Sequence, residues 1–306
     1  PMVDREGAGD QARDQRAAIG GAAGQDEHGF GVSSPAMTSE SYRVEPRTGL
    51  HYLERGDAAA PLVVLLHGFP DIPEAWLPVM ERLAAAGYRA VAPAMPGYRP
   101  SPAPPAYDIR TLAKTVVAFG ASLQEAPFVL VGHDWGAAIT HDAVTHGPLA
   151  AAVTLSVPHP LTFLRSLATD PAQLHRSRYM GFFQLPGLPE RALRRGFVRE
   201  LWARWSPGRP PPLHVEAVEA RIRASLPGPL AYYRAMFRPL GLFLRRAVAM
   251  RPSAVPLLHL HGQHDRCIAP GATRGQERHF RGPHETRFLD GGTSCRSRSR
   301  SRSPTP

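Results

Sequence analysis

The feature that most constrains this chain is an alternation of short apolar runs with helix-period stretches, interrupted once. Runs at 41–44, 50–53, 62–66, 88–91, 128–131 and 152–156 are too short for helices and read as strands, while 75–86 and 109–123 repeat their apolar residues at helical spacing. Neighbouring parallel strands need a crossover, and a helix supplies one, so the alternation predicts an α/β fold with a doubly wound, mostly parallel sheet. Near Pro158 the alternation stops. Residues 158–244 are rich in arginine, punctuated by proline and helical in pattern, and only at 256–260 and 286–289 do strand-like runs return. A helical insert between two strands of one sheet is the arrangement of a lid over a site. The expected organisation is a core built from 41–157 and a truncated second part at 245–292, with a helical lid at 158–244.

A chain of 306 residues, 43% of them hydrophobic, is long enough to fill such a core. Two cysteines, Cys267 and Cys295, imply no disulfide framework and suit a reducing cytoplasm. No apolar run approaches the length of a membrane span, and no secretory signal order opens the chain, so the expectation is a cytoplasmic protein without membrane insertion. The net charge of +10 raises the question of nucleic acid, but its distribution argues against that partner. Lys114 is the only lysine, which points to an arginine-biased coding sequence, and part of the excess lies in the arginine-serine alternation from Arg296 to Ser303. Residues 1–40 lack apolar periodicity and are expected to be a disordered leader, with Met37 as the expected natural start. Residues 293–306 are expected to be a disordered Arg/Ser tail; an RNA-binding role for it finds no supporting module elsewhere in the chain.

Chemistry enters at Val131-Gly132-His133-Asp134-Trp135-Gly136-Ala137, which follows an apolar run and opens a helical pattern. It has the small-x-nucleophile-x-small form of a nucleophile elbow, with aspartate at the tip. Glycine at 132 and 136 lets strand and helix approach closely in the sharp turn. A carboxylate at the tip would sit near a helix N-terminus, whose dipole favours the ionised form. The plainer reading is that Asp134 caps that helix.

Together with His67-Gly68-Phe69-Pro70 at the end of the 62–66 run, this segment resembles the epoxide-hydrolase branch of the α/β-hydrolase superfamily, from about Tyr42 to Gly292. The resemblance implies Asp134 as nucleophile and the backbone N–H groups of Phe69 and Trp135 as an oxyanion hole. It makes His67, Gly68, Pro70, Gly132, His133 and Gly136 turn and structural residues, the two histidines partly buried with local hydrogen bonds. An aspartate displaces at saturated carbon and forms an alkyl ester, which water then hydrolyses. Opening an epoxide leaves an alkoxide, and in the family two lid tyrosines donate to the ring oxygen. Tyr179, in Arg178-Tyr179-Met180-Gly181, and Tyr233, in Ala231-Tyr232-Tyr233-Arg234, match them, with aromatic packing as the plainer role. Asp265, in Gly262-Gln263-His264-Asp265-Arg266-Cys267, matches the charge-relay acid, with helix capping as the alternative. The implied partners are a small apolar epoxide and water. No cofactor and no metal are implied, and nothing sets an oligomeric state.

At the end of the pattern the chain departs from the family. The resemblance implies a Gly-His-Phe stretch after the last strand, carrying the base that activates water, and then a closing helix. Here Asp290-Gly291-Gly292 leads instead into Thr293-Ser294-Cys295, and none of the 14 histidines lies beyond His284. Written GGC-ACT-TCC-TGC, residues 292–295 become Gly-His-Phe-Leu when read one base earlier after a G, which is the signature expected of a frameshift. Three functions stay open on the sequence alone. They are an epoxide hydrolase impaired in turnover, a haloalkane or haloacid dehalogenase using the same aspartate, and a non-catalytic small-molecule binder.

Overall fold

A computed structural model describes residues 41–205, 212–239, 242–248 and 250–293. The expected leader at 1–40 and the tail beyond Thr293 lie outside the described residues. Eight strands form one sheet: β1 (Arg43–Val44), β2 (His51–Arg55), β3 (Leu62–Leu66), β4 (Arg89–Pro93), β5 (Phe128–His133), β6 (Leu149–Leu155), β7 (Leu257–Gly262) and β8 (His284–Leu289). Their order is β1-β2-β4-β3-β5-β6-β7-β8, antiparallel at β1-β2 and β2-β4 and parallel throughout the rest. Every residue of β3 is buried, as a strand covered on both faces requires.

Crossovers α1 (Leu77–Ala85), α2 (Ile109–Leu123) and α3 (Trp135–Ala143) join the parallel strands. Asp108 starts α2 by accepting from Thr111 N, and the buried Ile109, Leu112, Ala113, Val116, Phe119 and Gly120 recur at helical spacing on its inner face. Gly120 has no room for a side chain, because the Phe128 ring packs directly on it. The expected helix at 75–86 is split: Pro73–Trp76 is a single 3-10 turn and α1 begins at Leu77. Proline at the first position of that turn fixes φ and gives up an amide no turn would use.

Between β6 and β7 the described residues are helical without a strand: α4 (Pro160–Thr169), α5 (Pro171–Arg176), α6 (Arg178–Phe182), α7 (Leu188–Arg194), α8 (Phe197–Trp205), α9 (Pro212–Ser225), α10 (Gly228–Phe237) and α11 (Leu242–Val248). The prolines that punctuate this stretch open helices, at Pro160, Pro171, Pro189 and Pro229. Buried and half-buried polar contacts tie the insert to the core. Arg221 of α9 pairs with Glu74 at 2.9 Å, and the Tyr42 hydroxyl donates to the same carboxylate at 2.8 Å. No helix among the described residues is long and apolar enough to cross a membrane.

Candidate active site

Strand order reverses at β3, which has β4 on one side and β5 on the other. In such sheets the loops leaving the carboxyl ends of the two diverging strands part and leave a crevice. Here β3 runs into His67-Gly68-Phe69-Pro70 and β5 into Asp134, so both sequence motifs meet at that point. Asp134 has φ 53° and ψ −117°, a backbone conformation costly for a non-glycine residue, and it directly precedes α3. Its side chain does not cap α3. Instead Oδ1 accepts from the Phe69 amide at 2.8 Å, across a sequence separation of 65 residues.

The turn tolerates nothing larger than glycine at three positions. A Cβ on Gly68 would strike the Asp134 side chain, one on Gly132 would strike Gly136 O and Thr140 Oγ1, and one on Gly136 would strike Leu66 O. Gly132→Ala is expected to destabilise the fold by about 1–3 kcal/mol, because the obstacle is backbone and cannot swing aside. A urea unfolding curve with unchanged midpoint would show that the turn has slack.

Burial pushes the Asp134 carboxyl up to about 7, opposed by the Phe69 and Trp135 amides and reinforced by the negative charges of Asp265 and Asp71. Tyr179 and Tyr233 face the same space. Burial holds both hydroxyls well above the usual phenol range, so both remain protonated donors. The ring of Tyr233 lies 5.1 Å from that of Trp135 and 5.8 Å from that of Tyr179. Among the described residues the buried Tyr233 hydroxyl has no hydrogen-bond partner, and that of Tyr179 touches Cys267 Sγ at 3.7 Å. A space of about 420 Å³, partly open to solvent, is lined by Asp134, Trp135, Phe163, Tyr179, Met180 and Tyr233 among others. Asp265 follows β7, and its Oδ1 accepts from the amides of Cys267 and Ile268 at 2.8 and 2.9 Å. It caps no helix: the next 3-10 turn, Pro270–Thr273, is preceded by Ala269.

A sequence profile described as the Alpha/beta hydrolase family matches residues 63–296. The AB hydrolase superfamily protein YfhM of Bacillus subtilis is 30% identical over 244 residues, covering 77% of this chain and 84% of its own. Epoxide hydrolase 3 of Xenopus tropicalis is 30% identical over 263 residues, covering 78% and 68% respectively. Among solved structures, a Bacillus megaterium epoxide hydrolase in complex with an inhibitor superposes with a TM-score of 0.69 at 25% identity, covering 82% of this chain and 92% of that one. The chain belongs to the α/β-hydrolase family, as an epoxide-hydrolase-like member.

Several contacts of this α/β-hydrolase escape its sequence because their partners are far apart. Gln173 of α5, fully buried, donates to Cys267 O and accepts from Ala269 N, so a residue of the insert holds the loop after Asp265. Thr293 Oγ1 donates to Asp265 Oδ1 at 2.7 Å, and Thr293 O accepts from Ser156 Oγ. The expectation of partly buried, locally bonded His67 and His133 is met in part at His67, whose Nδ1 donates to the neighbouring Gly68 O at 3.0 Å, and is corrected in burial. Both are buried; His67 Nε2 accepts from Met95 N, and His133 Nε2 donates to Thr293 O at 2.8 Å, 160 residues away. Both sit at the ends of strands in the covered sheet, so their rings are sealed from water and bond backbone groups within reach, near and far. Pro70 follows a cis peptide bond. Among the described residues no cluster of three or more His, Cys, Asp or Glu side chains is placed to hold a metal.

Proposed function

We propose that this α/β-hydrolase opens small apolar epoxides through an ester on Asp134, and that this polypeptide forms the ester much faster than it hydrolyses it. The observation that carries the reading is a half-buried carboxylate on a strained turn, bonded to the Phe69 amide and overlooked by two protonated tyrosines. Asp134 attacks a ring carbon, the C–O bond breaks, and the developing alkoxide takes its proton from Tyr179 or Tyr233. The Phe69 and Trp135 amides then serve the oxyanion that forms when water attacks the ester carbonyl. Asp265 is the acid that orients the water-activating base, and the helices between β6 and β7 act as a lid that keeps bulk water out. The apolar lining from Phe163 and Met180 suits an aryl or alkyl substituent.

The relatives named as epoxide hydrolases support this reaction class over dehalogenation, and so do two hydroxyls where a halide would want N–H donors. Styrene oxide and a haloalkane offered side by side test it: an ester of the epoxide's mass on Asp134 is expected, and halide release without epoxide consumption would replace the reading with dehalogenation.

Phenylalanine at Tyr179 or Tyr233 is expected to slow ester formation by about tenfold to a thousandfold, near the range of a positioned acid. The remaining tyrosine continues to donate. If the double variant forms ester at the wild-type rate, both rings only pack.

A further inference from the structure

The excess positive charge of the chain is confined to one stretch. From Pro158 to Val248 the sequence carries 15 arginines and no lysine against five acidic residues, a balance of +10 that equals the charge of the whole chain, and 21 basic and 21 acidic residues cancel elsewhere. A coding bias explains arginine in place of lysine but not this placement. Among the described residues of that stretch eleven arginines are exposed, against two exposed carboxylates, Glu200 and Glu216. Apolar surface gathers there too: of the eight large apolar side chains exposed among the described residues, six belong to the insert. Three of the six share a patch with arginines. Arg234 and Arg238 of α10 reach the turn after α6, donating to Phe183 O, Leu185 O and Gln184 O, which brings exposed Phe237 beside exposed Leu185 and Leu188. Arg191 and Arg195, both exposed, follow Leu188 at the three- and four-residue steps that share a helix face. Leu244 and Val248 stand exposed one turn apart on α11, which packs against α10. The patch is the outer side of the roof over Asp134, since Gln184 also donates to Tyr233 O and the Phe183 ring meets that of Tyr233 at 4.9 Å.

We infer that this face of the insert seats the protein on the surface of a bilayer containing anionic lipids, with Leu185, Leu188 and Phe237 entering the interface and the arginines meeting the headgroups. Apolar side chains gathered on a protein surface mark a place of interaction. Ringed by cations, they have the composition of an interfacial anchor, in which buried apolar area and attraction to anionic headgroups add. The seat is peripheral and needs no spanning helix. A second copy presenting the same face would set like charge against like charge. Nucleic acid would answer the arginines but not the leucines, because single strands are gripped by stacked aromatic rings. The inference stands independently of the chemistry at Asp134.

The full-length chain is centrifuged with vesicles of phosphatidylcholine alone and with vesicles in which about a third of the lipid is phosphatidylserine, at low and high salt. Expected is binding to the anionic vesicles about tenfold or more tighter than to the neutral ones, weakening as salt rises. Leu185→Ser, Leu188→Ser and Phe237→Ser combined are expected to weaken binding to the anionic vesicles by about tenfold or more, and so are Arg191→Glu, Arg194→Glu and Arg195→Glu combined. All six side chains are exposed, so the fold does not rest on them. Because the sequence beyond Thr293 is also rich in arginine, hydrogen exchange on the unaltered chain locates the contact. With anionic vesicles present, slowed exchange is expected in peptides covering residues 183–191 and 235–248, and that readout decides should a variant not fold. Slowed exchange confined to residues beyond 293, equal or absent binding to the two kinds of vesicle, or full binding by the serine variant would overturn the inference. A single-stranded RNA oligonucleotide that binds where anionic vesicles do not would overturn it as well, and would assign the arginines to nucleic acid.

Discussion

Asp134→Ala is expected to abolish covalent capture of an epoxide, lowering the rate of ester formation by about 10⁴-fold or more, the scale on which losing a nucleophile registers. No neighbour can stand in. Asp265 commits Oδ1 to three donors behind the Cys267 loop, and Cys267 is held by burial well above the usual thiol range, so it remains protonated and unreactive. Alanine at φ 53° would keep the backbone strain without the compensating bond to Phe69, so Asp134→Asn is the companion variant, matching the shape while removing the nucleophile. Peptide mapping after exposure to styrene oxide is the measurement. An adduct persisting on the same peptide in both variants would transfer the nucleophile elsewhere.

The same carboxyl sets a pH dependence whose sign follows from its burial. Attack requires the ionised form, and the group is pushed up to about 7, so ester formation should fall as pH drops below that value and level off above it. The tyrosines add no downturn near neutrality, since burial keeps them protonated.

What the sequence made legible follows from how local each signal is. The runs at 62–66 and 128–131 announced buried parallel strands, and those strands, diverging at the sheet's reversal, place the Phe69 loop beside Asp134. The paired glycines of the elbow were legible because a sharp turn forbids a Cβ whatever surrounds it. The expected last strand at 286–289 was too short. His284 and Glu285 join β8 through parallel pairing with Leu257 and Leu258, and their polar side chains gave no strand signal. Tyr179 and Tyr233 lie on helices where any aromatic reads as packing, and only the resemblance singled them out; the fold brings their rings within 5.8 Å of each other. Gln173, Cys267 and Thr293 carried no local pattern. Among their bonds are ones that span 88, 94 and 160 residues of sequence, and separations of that kind become neighbours only once the sheet exists.

The second large effect concerns the two halves of the proposed reaction. Attack by Asp134 and donation by the tyrosines draw on side chains present in this polypeptide, whereas the base implied by the resemblance has no histidine after β8 to supply it. Where that base would begin, Thr293 bonds Asp265 through its hydroxyl and receives His133 and Ser156 at its carbonyl, and a threonine hydroxyl so engaged cannot activate water. His284 is no substitute, because it opens β8, at the opposite end of that strand from Leu289, and stacks on Phe280. With styrene oxide the expected result is therefore one ester per chain and little diol, read as a mass increment that persists after excess epoxide is removed. Restoring a Gly-His-Phe continuation after Gly291, with a helix to follow, should raise diol release by about 10²–10⁴-fold, the contribution of a positioned base. The same repair should improve solubility. On β7 the fully buried Leu257, His259 and His261 alternate with half-buried Leu258 and Leu260, so one face of the sheet is sealed and the other only partly covered, and an apolar face left open invites association. Sustained multiple turnover by the unrepaired chain would mean that another group activates water, and the division of labour between the two steps would have to be redrawn around it.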